Sequence, residues 1–101
     1  MKLKIKGKFQ YNMDNLMRKC GYARINTREV SYARSLSGGG EYPRFHVYIY
    51  EKTDGLEVNL HIDQKKPSYS GQTAHSGDYD SDQVKQELIR ISWALDKCRL
   101  V

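Results

Sequence analysis

Leu3, Ile5 and Phe9 alternate with Lys2, Lys4, Lys6 and Lys8 at the start of the chain, with Gly7 interrupting the inner row. A period of two is that of a half-buried strand with its lysines turned to water. Met13, Leu16, Met17 and Cys20 then follow the i, i+3, i+4, i+7 rule. This predicts a short helix with a core-facing stripe, capped by Asn12 and stopped by a left-handed Gly21. From Tyr22 to Leu36 the pattern weakens, although Ile25, Thr27, Val30 and Tyr32 favour one or two extended pieces. The run Ser35 to Glu41 contains three consecutive glycines and reads as a hairpin connection, with Pro43 marking entry into the next strand. No Walker Lys-Ser or Lys-Thr follows those glycines, which argues against a phosphate-cradling loop.

Arg44 to Glu51 and Leu56 to Gln64 are two β-rich runs around Asp54-Gly55, and they predict a hairpin. Two registers are open. A two-residue Asp54-Gly55 turn sets Thr53 opposite Leu56 and His46 opposite Asp63. A four-residue connection ending in a left-handed Gly55 sets Glu51 opposite Leu56 and His46 opposite His61. The registers differ by two, so both send the same residues to the same faces. Phe45, Val47, Ile49, Val58, Leu60 and Ile62 face inward; His46, Tyr48, Tyr50, Asn59, His61 and Asp63 face outward.

Residues 65–81 show no sustained periodicity and are expected to form a long mobile loop. The last helix begins near Ser81. Asp80 and Gln83 have the spacing of a capping box, Val84, Leu88, Ile91, Leu95 and Cys98 form one apolar stripe, and Trp93 is expected to pack at its edge. Such a stripe needs a sheet to cover. The expected architecture is one small α+β domain over residues 1–101, roughly βαβββα. Its largely antiparallel sheet of about four strands is packed by the C-terminal helix and the short first helix, and its other face is partly open.

Composition narrows the function classes. The 101 residues carry 17 Lys or Arg against 12 Asp or Glu, a net charge of +5. A mean hydropathy of −0.77 leaves no room for a membrane span. The first nine residues never reach the apolar run of a secretory signal. Cys20 and Cys98 lie far apart without a C-x-x-C spacing, so buried reduced thiols and a cytoplasmic location are expected. The positive charge concentrates early: Lys2, Lys4, Lys6, Lys8, Arg18, Lys19, Arg24, Arg28 and Arg34 face only Asp14 and Glu29. A basic segment of this kind suits a polyanion, because displaced counterions add affinity without a sequence code.

The outward hairpin face carries the candidate chemistry. A face meant only for water usually holds Lys, Glu, Thr and Ser, whereas this one gathers imidazoles, phenols, an amide and a carboxylate within cross-strand reach. Tyr48 and Tyr50 suit stacking on unpaired bases, with Asn59 and Asp63 as polar contacts and Lys65 and Lys66 steering phosphates. His46 and His61 form the candidate catalytic pair, since imidazoles exchange protons near neutral pH. Two His and an Asp also have the chemistry of a transition-metal site with His75 as a further ligand, but His61-x-Asp63 alone is a weak spacing, so no metal and no cofactor are assigned. Asp78, Asp80 and Asp82 do not make a calcium loop, since Gln83 replaces the required Gly and Ile89 the bidentate Glu. No Ser-His-Asp order, nucleophile elbow or dinucleotide fingerprint is expected.

From residue 12 to 98 the order helix, three strands, helix resembles the αβββα arrangement of double-stranded RNA-binding domains, with an extra N-terminal strand. It is also similar to that of the HicA-type toxins, small basic ribonucleases whose functional His follows Gly-Ser on a central strand. Here His46 occupies the comparable strand, preceded by Arg44-Phe45. Where the double-stranded RNA module carries lysines at the start of its last helix, this chain has Asp78-Tyr79-Asp80-Ser81-Asp82. The resemblance implies RNA as the partner and, for the toxin arrangement, cleavage without a metal. The expected function is thus a small basic protein contacting RNA or another polar partner through an open His/Tyr sheet face, as a monomer or homodimer. The alternatives are a metal-independent ribonuclease using His46 and His61, or a structural domain that dimerises through this face.

Overall fold

Two helices lie on one side of an antiparallel sheet in the computed structural model, which describes residues 1–36, 38, 40–65 and 77–100. In chain order the elements are β1 (Lys2–Lys6), α1 (Met13–Lys19), β2 (Ala23–Asn26), β3 (Val30–Ser35), β4 (Arg44–Lys52), β5 (Gly55–Asp63), β6 (Gly77–Asp78) and α2 (Asp82–Asp96). The sheet runs β1-β5-β4-β3-β2, and β6 pairs with the far end of β5. The α+β expectation holds, with a richer sheet than expected. The weakly patterned stretch after α1 is a hairpin of two short strands, and Gly77–Asp78 extends the sheet where a loop was expected. Five strands, β2 to β6, and not three, therefore separate the helices, which departs from the αβββα order.

The helix signals read from the sequence are mostly observed. Asn12 Oδ1 accepts the Asn15 N–H at 2.9 Å, and Gly21 ends the turn at φ +90°. Leu16, Met17 and Cys20 join Val84, Leu88, Ile91 and Leu95 over Phe45, Val47, Val58, Leu60 and Ile62 in one core. Cys20 and Cys98 are buried free thiols. The second helix cap differs from the expected Asp80/Gln83 box: Ser81 is the N-cap, its Oγ accepting the Val84 N–H at 3.3 Å. Asp78, fixed by its pairing on β5, accepts the Ser81 N–H at 3.2 Å and so does the work that Gln83 would have done. Trp93, expected at the edge of the core, is 69% exposed because its position on α2 turns it off the stripe. No helix among the described residues is long and apolar enough to cross a membrane.

The β4–β5 hairpin takes the register in which His46 faces His61 and Glu51 faces Leu56. Lys52 pairs with Gly55, so the tip is Thr53-Asp54 and Gly55 is the first residue of β5. Its φ is not left-handed, contrary to expectation; the glycine is required by a neighbour. A Cβ there would stand 2.8 Å from the Lys6 Cα and closer still to the Ile5 carbonyl oxygen, because β1 pairs tightly against this point. Gly55→Ala is accordingly expected to cost about 1–3 kcal/mol by overpacking, visible as a lower midpoint in urea denaturation. An unchanged midpoint would show that β1 can move aside. Residues 66–76, with Lys66 and His75, lie outside the described residues.

Candidate functional site

Alternation along β4 and β5 places Arg44, His46, Tyr48 and Tyr50 on the face away from the helices. The pairs across the strands are Arg44 with Asp63, His46 with His61 and Tyr48 with Asn59. β1 continues the same rows, with Lys2 beside Asn59 and Lys4 beside Glu57. The lysines that the sequence offered as a solvated strand face therefore stand on the same sheet surface as the histidines and tyrosines. Across that surface Lys2, Lys4, Lys6, Arg44 and Lys52 outnumber Glu57 and Asp63.

Asp63 is the hub. Arg44 Nε donates to its Oδ2 at 3.1 Å and His61 Nε2 to its Oδ1 at 2.7 Å, while His46 Nδ1 lies 3.0 Å from Oδ2. Burial pushes the Asp63 carboxyl upward, but the hydrogen bond donated by His61 acts against it, and the group is held below the usual carboxylate range. His46 is 5% exposed. Although its Nδ1 is within reach of Asp63, the ring direction misses the oxygen, and this buried nitrogen has no directed hydrogen bond.

The other side of His46 fixes its tautomer. Thr27 Oγ1 donates its only proton to the Glu29 carbonyl at 2.6 Å. The Ser31 hydroxyl, 3.1 Å from Thr27 Oγ1, must then donate to it, and Ser31 Oγ must accept from His46 Nε2–H at 2.8 Å. The fully satisfied chain runs His46, Ser31, Thr27, Glu29, and it leaves the neutral imidazole with its lone pair on Nδ1, beside Asp63. Ser31, His46 and Asp63 thus stand in a triad-like order that the sequence was expected to lack. The proton direction is the reverse of nucleophile activation, and Ser31 is fully buried, so no serine nucleophile results.

Rings complete the surface. His46 packs against Tyr48 and His61 with centroids 4.7 and 4.8 Å away, and Tyr48 lies nearly parallel to His61 at 6.3 Å. Tyr79, 52% exposed, stacks on His61 at 5.0 Å and 22°. A hollow of about 440 Å³ opens between these rings, bounded also by Thr27, Arg44 and Asn59. A second hollow of about 470 Å³ at the hairpin tip is fringed by Lys4, Lys6, Glu51 and Asp54 and has neither an imidazole nor an aromatic ring.

Of the residues expected from sequence, His46, Tyr48, Asn59, His61 and Asp63 meet around the first hollow. Tyr50 stands one row along the strand, its hydroxyl donating to Glu29 Oε1 at 2.9 Å. Lys65 is exposed just past the end of β5, and Lys66 lies outside the described residues. Sequence reasoning missed Arg44, Ser31, Thr27 and Tyr79. Arg44 shares the parity of His46, so the same alternation rule reaches it. Tyr79 carries no local signal, because only the pairing of β6 with β5 brings it to His61. No family model, curated protein or solved structure matches this chain, so its functional reading rests on the geometry of this sheet face.

Proposed function

We propose that the chain binds single-stranded RNA on the open sheet face. The observation that supports this is the exposed Tyr79 ring, stacked on His61, standing on the same surface as the lysine row of β1. Tyr79 and Tyr48 offer rings to unpaired bases, with His61 backing Tyr79, Asn59 offers an amide to a base edge, and Lys2, Lys4, Lys6 and Lys52 take the phosphates. A duplex is a poorer fit, since Asp82 in the first turn of α2, with Asp78 and Asp80 just before it, repels the phosphates that a helix N-terminus otherwise attracts. Cleavage by His46 and His61 fits less well, because His46 is 5% exposed and its Nε2 is committed to Ser31.

Fluorescence anisotropy with a labelled oligouridine tests the reading. If about three or four phosphates are neutralised, affinity falls roughly 20- to 50-fold between about 50 and about 200 mM salt. Tyr79→Ala, which removes an exposed ring, weakens binding about 5- to 10-fold at fixed salt. An affinity insensitive to salt and to Tyr79→Ala, or light scattering showing a dimer that hides Tyr48 and Tyr79, would overturn it.

A further inference from the structure

We infer that His46, His61 and Asp63 form a binding site for one divalent transition-metal ion of the zinc class. A ring nitrogen from each of His46 and His61 and an Asp63 carboxylate oxygen are all within 4.8 Å of one another. An ion held at about 2.0–2.2 Å from each ligand sets tetrahedral ligand atoms about 3.3 Å apart. The gaps of 3.0 Å from His46 to Asp63 Oδ2 and 2.7 Å from His61 to Asp63 Oδ1 are near that spacing already, and the remaining pair lies within 4.8 Å. Closing the remaining gap to about 3.3 Å calls for rotation of the imidazoles toward the carboxylate.

The second observation is independent of proximity. His46 Nδ1 is a buried nitrogen without a directed hydrogen bond, and the hydroxyl chain through Ser31 and Thr27 to Glu29 keeps the ring proton on Nε2. A buried lone pair with no donor to accept from, 3.0 Å from a carboxylate oxygen, is unfavourable on its own. A cation shared by Nδ1 and Asp63 replaces that arrangement with two bonds. Ligating histidines commonly donate their other ring N–H to an anchoring partner, and Ser31 fills that role here. Arg44, 3.1 Å from Asp63 Oδ2, orients the carboxylate and leaves its remaining lone pairs for the ion. His61 keeps one proton throughout, moving it from Nε2 to Nδ1 when Nε2 becomes a ligand. Three protein ligands leave a coordination position toward the hollow beside Tyr79 and Asn59, where an anionic oxygen fits.

The site does not depend on RNA binding, and the two readings fail separately. The test is calorimetric titration of the full chain, first stripped with chelator, with zinc chloride, alongside cobalt(II) followed by its visible absorption. One ion per chain is expected, with cobalt bands of a nitrogen- and oxygen-ligated site. His61→Ala and Asp63→Asn should abolish binding. Ser31→Ala, a positioning change, should weaken it about 10- to 100-fold. Circular dichroism establishes that each variant is folded, and His61→Ala, which leaves the Arg44–Asp63 ion pair in place, covers the case in which Asp63→Asn is not. Absence of stoichiometric binding to either ion, or binding that survives in folded His61→Ala, at His75 or at the buried thiols, would overturn the inference.

Discussion

Glu87→Ala is expected to lower the stability of the protein by about 3 kcal/mol, a drop of roughly 12–20 °C in melting temperature for a domain of this size. Glu87 is 6% exposed on the inward side of α2. Arg90 grips its two oxygens at 2.7 and 2.8 Å, Tyr22 Oη donates at 2.7 Å and Arg34 reaches it at 3.2 Å. Arg90 also donates to the Cys20 carbonyl at 2.7 Å, so this one carboxylate ties α2 to the end of α1 and to β3. Removing it strands a buried phenol and two guanidinium groups. Because both arginine side chains are 40% exposed, water recovers part of the loss, which places the effect at the lower end for a broken buried pair. Glu87→Gln keeps a hydrogen-bonding oxygen and should lose about half as much. Thermal denaturation measures both, and a Glu87→Ala melting point within about 3 °C of the parent would contradict the assignment of this network as a structural tie.

The second large effect belongs to Asp63→Asn, expected to cost about 3 kcal/mol at neutral pH. Arg44 is 11% exposed, and without the Asp63 charge its remaining acidic contact among the described residues is Glu41 at 3.7 Å, itself 73% exposed. The pH dependence identifies the cause. Burial raises the Asp63 pKa, but the hydrogen bond from His61 lowers it further, so the folded value lies below the ordinary 3.8. A depressed carboxylate contributes its full stability above the unfolded pKa and loses it as pH falls toward the folded one. Glu87, lowered from 4.5 by Arg90 and Tyr22 against the opposing effect of burial, acts in the same direction. The parent protein should therefore weaken steadily below about pH 4.5, and Asp63→Asn should show a shallower acid decline. Urea midpoints measured from pH 7 to pH 3 decide it: parallel curves for the two proteins would mean that Asp63 is not held as an ion by its neighbours.

The parts of this molecule that were legible in its sequence are those written in local periodicity. Alternation from Arg44 to Asp63 separated the faces of the hairpin correctly under either register, because a shift of two residues preserves parity. The stripes of α1 and α2 likewise identified the core. Long-range pairing was not legible. Nothing near Lys2 or Lys4 in the chain announces that β1 lies against β5 and adds its lysines to the histidine surface. Tyr79 reaches His61 only through β6, which is two residues long and has no pattern of its own. The role of Gly55 was misread for a related reason: a turn signal and a close approach both call for glycine, and only the position of β1 distinguishes them. The orientation of His46 depended on hydroxyls from the β2–β3 region, whose weak pattern gave no hint that Ser31 and Thr27 would stand behind it.

The claim that the open sheet face is the working surface is tested most directly by nuclear magnetic resonance, with single-stranded oligouridine titrated into the isotope-labelled full chain. The account predicts shifts at Lys2, Lys4, Tyr48, Asn59, His61 and Tyr79, on one connected surface, with the helices unaffected. Shifts centred on the exposed Ile89 and Trp93 of α2, or no shifts at any RNA concentration, would contradict it.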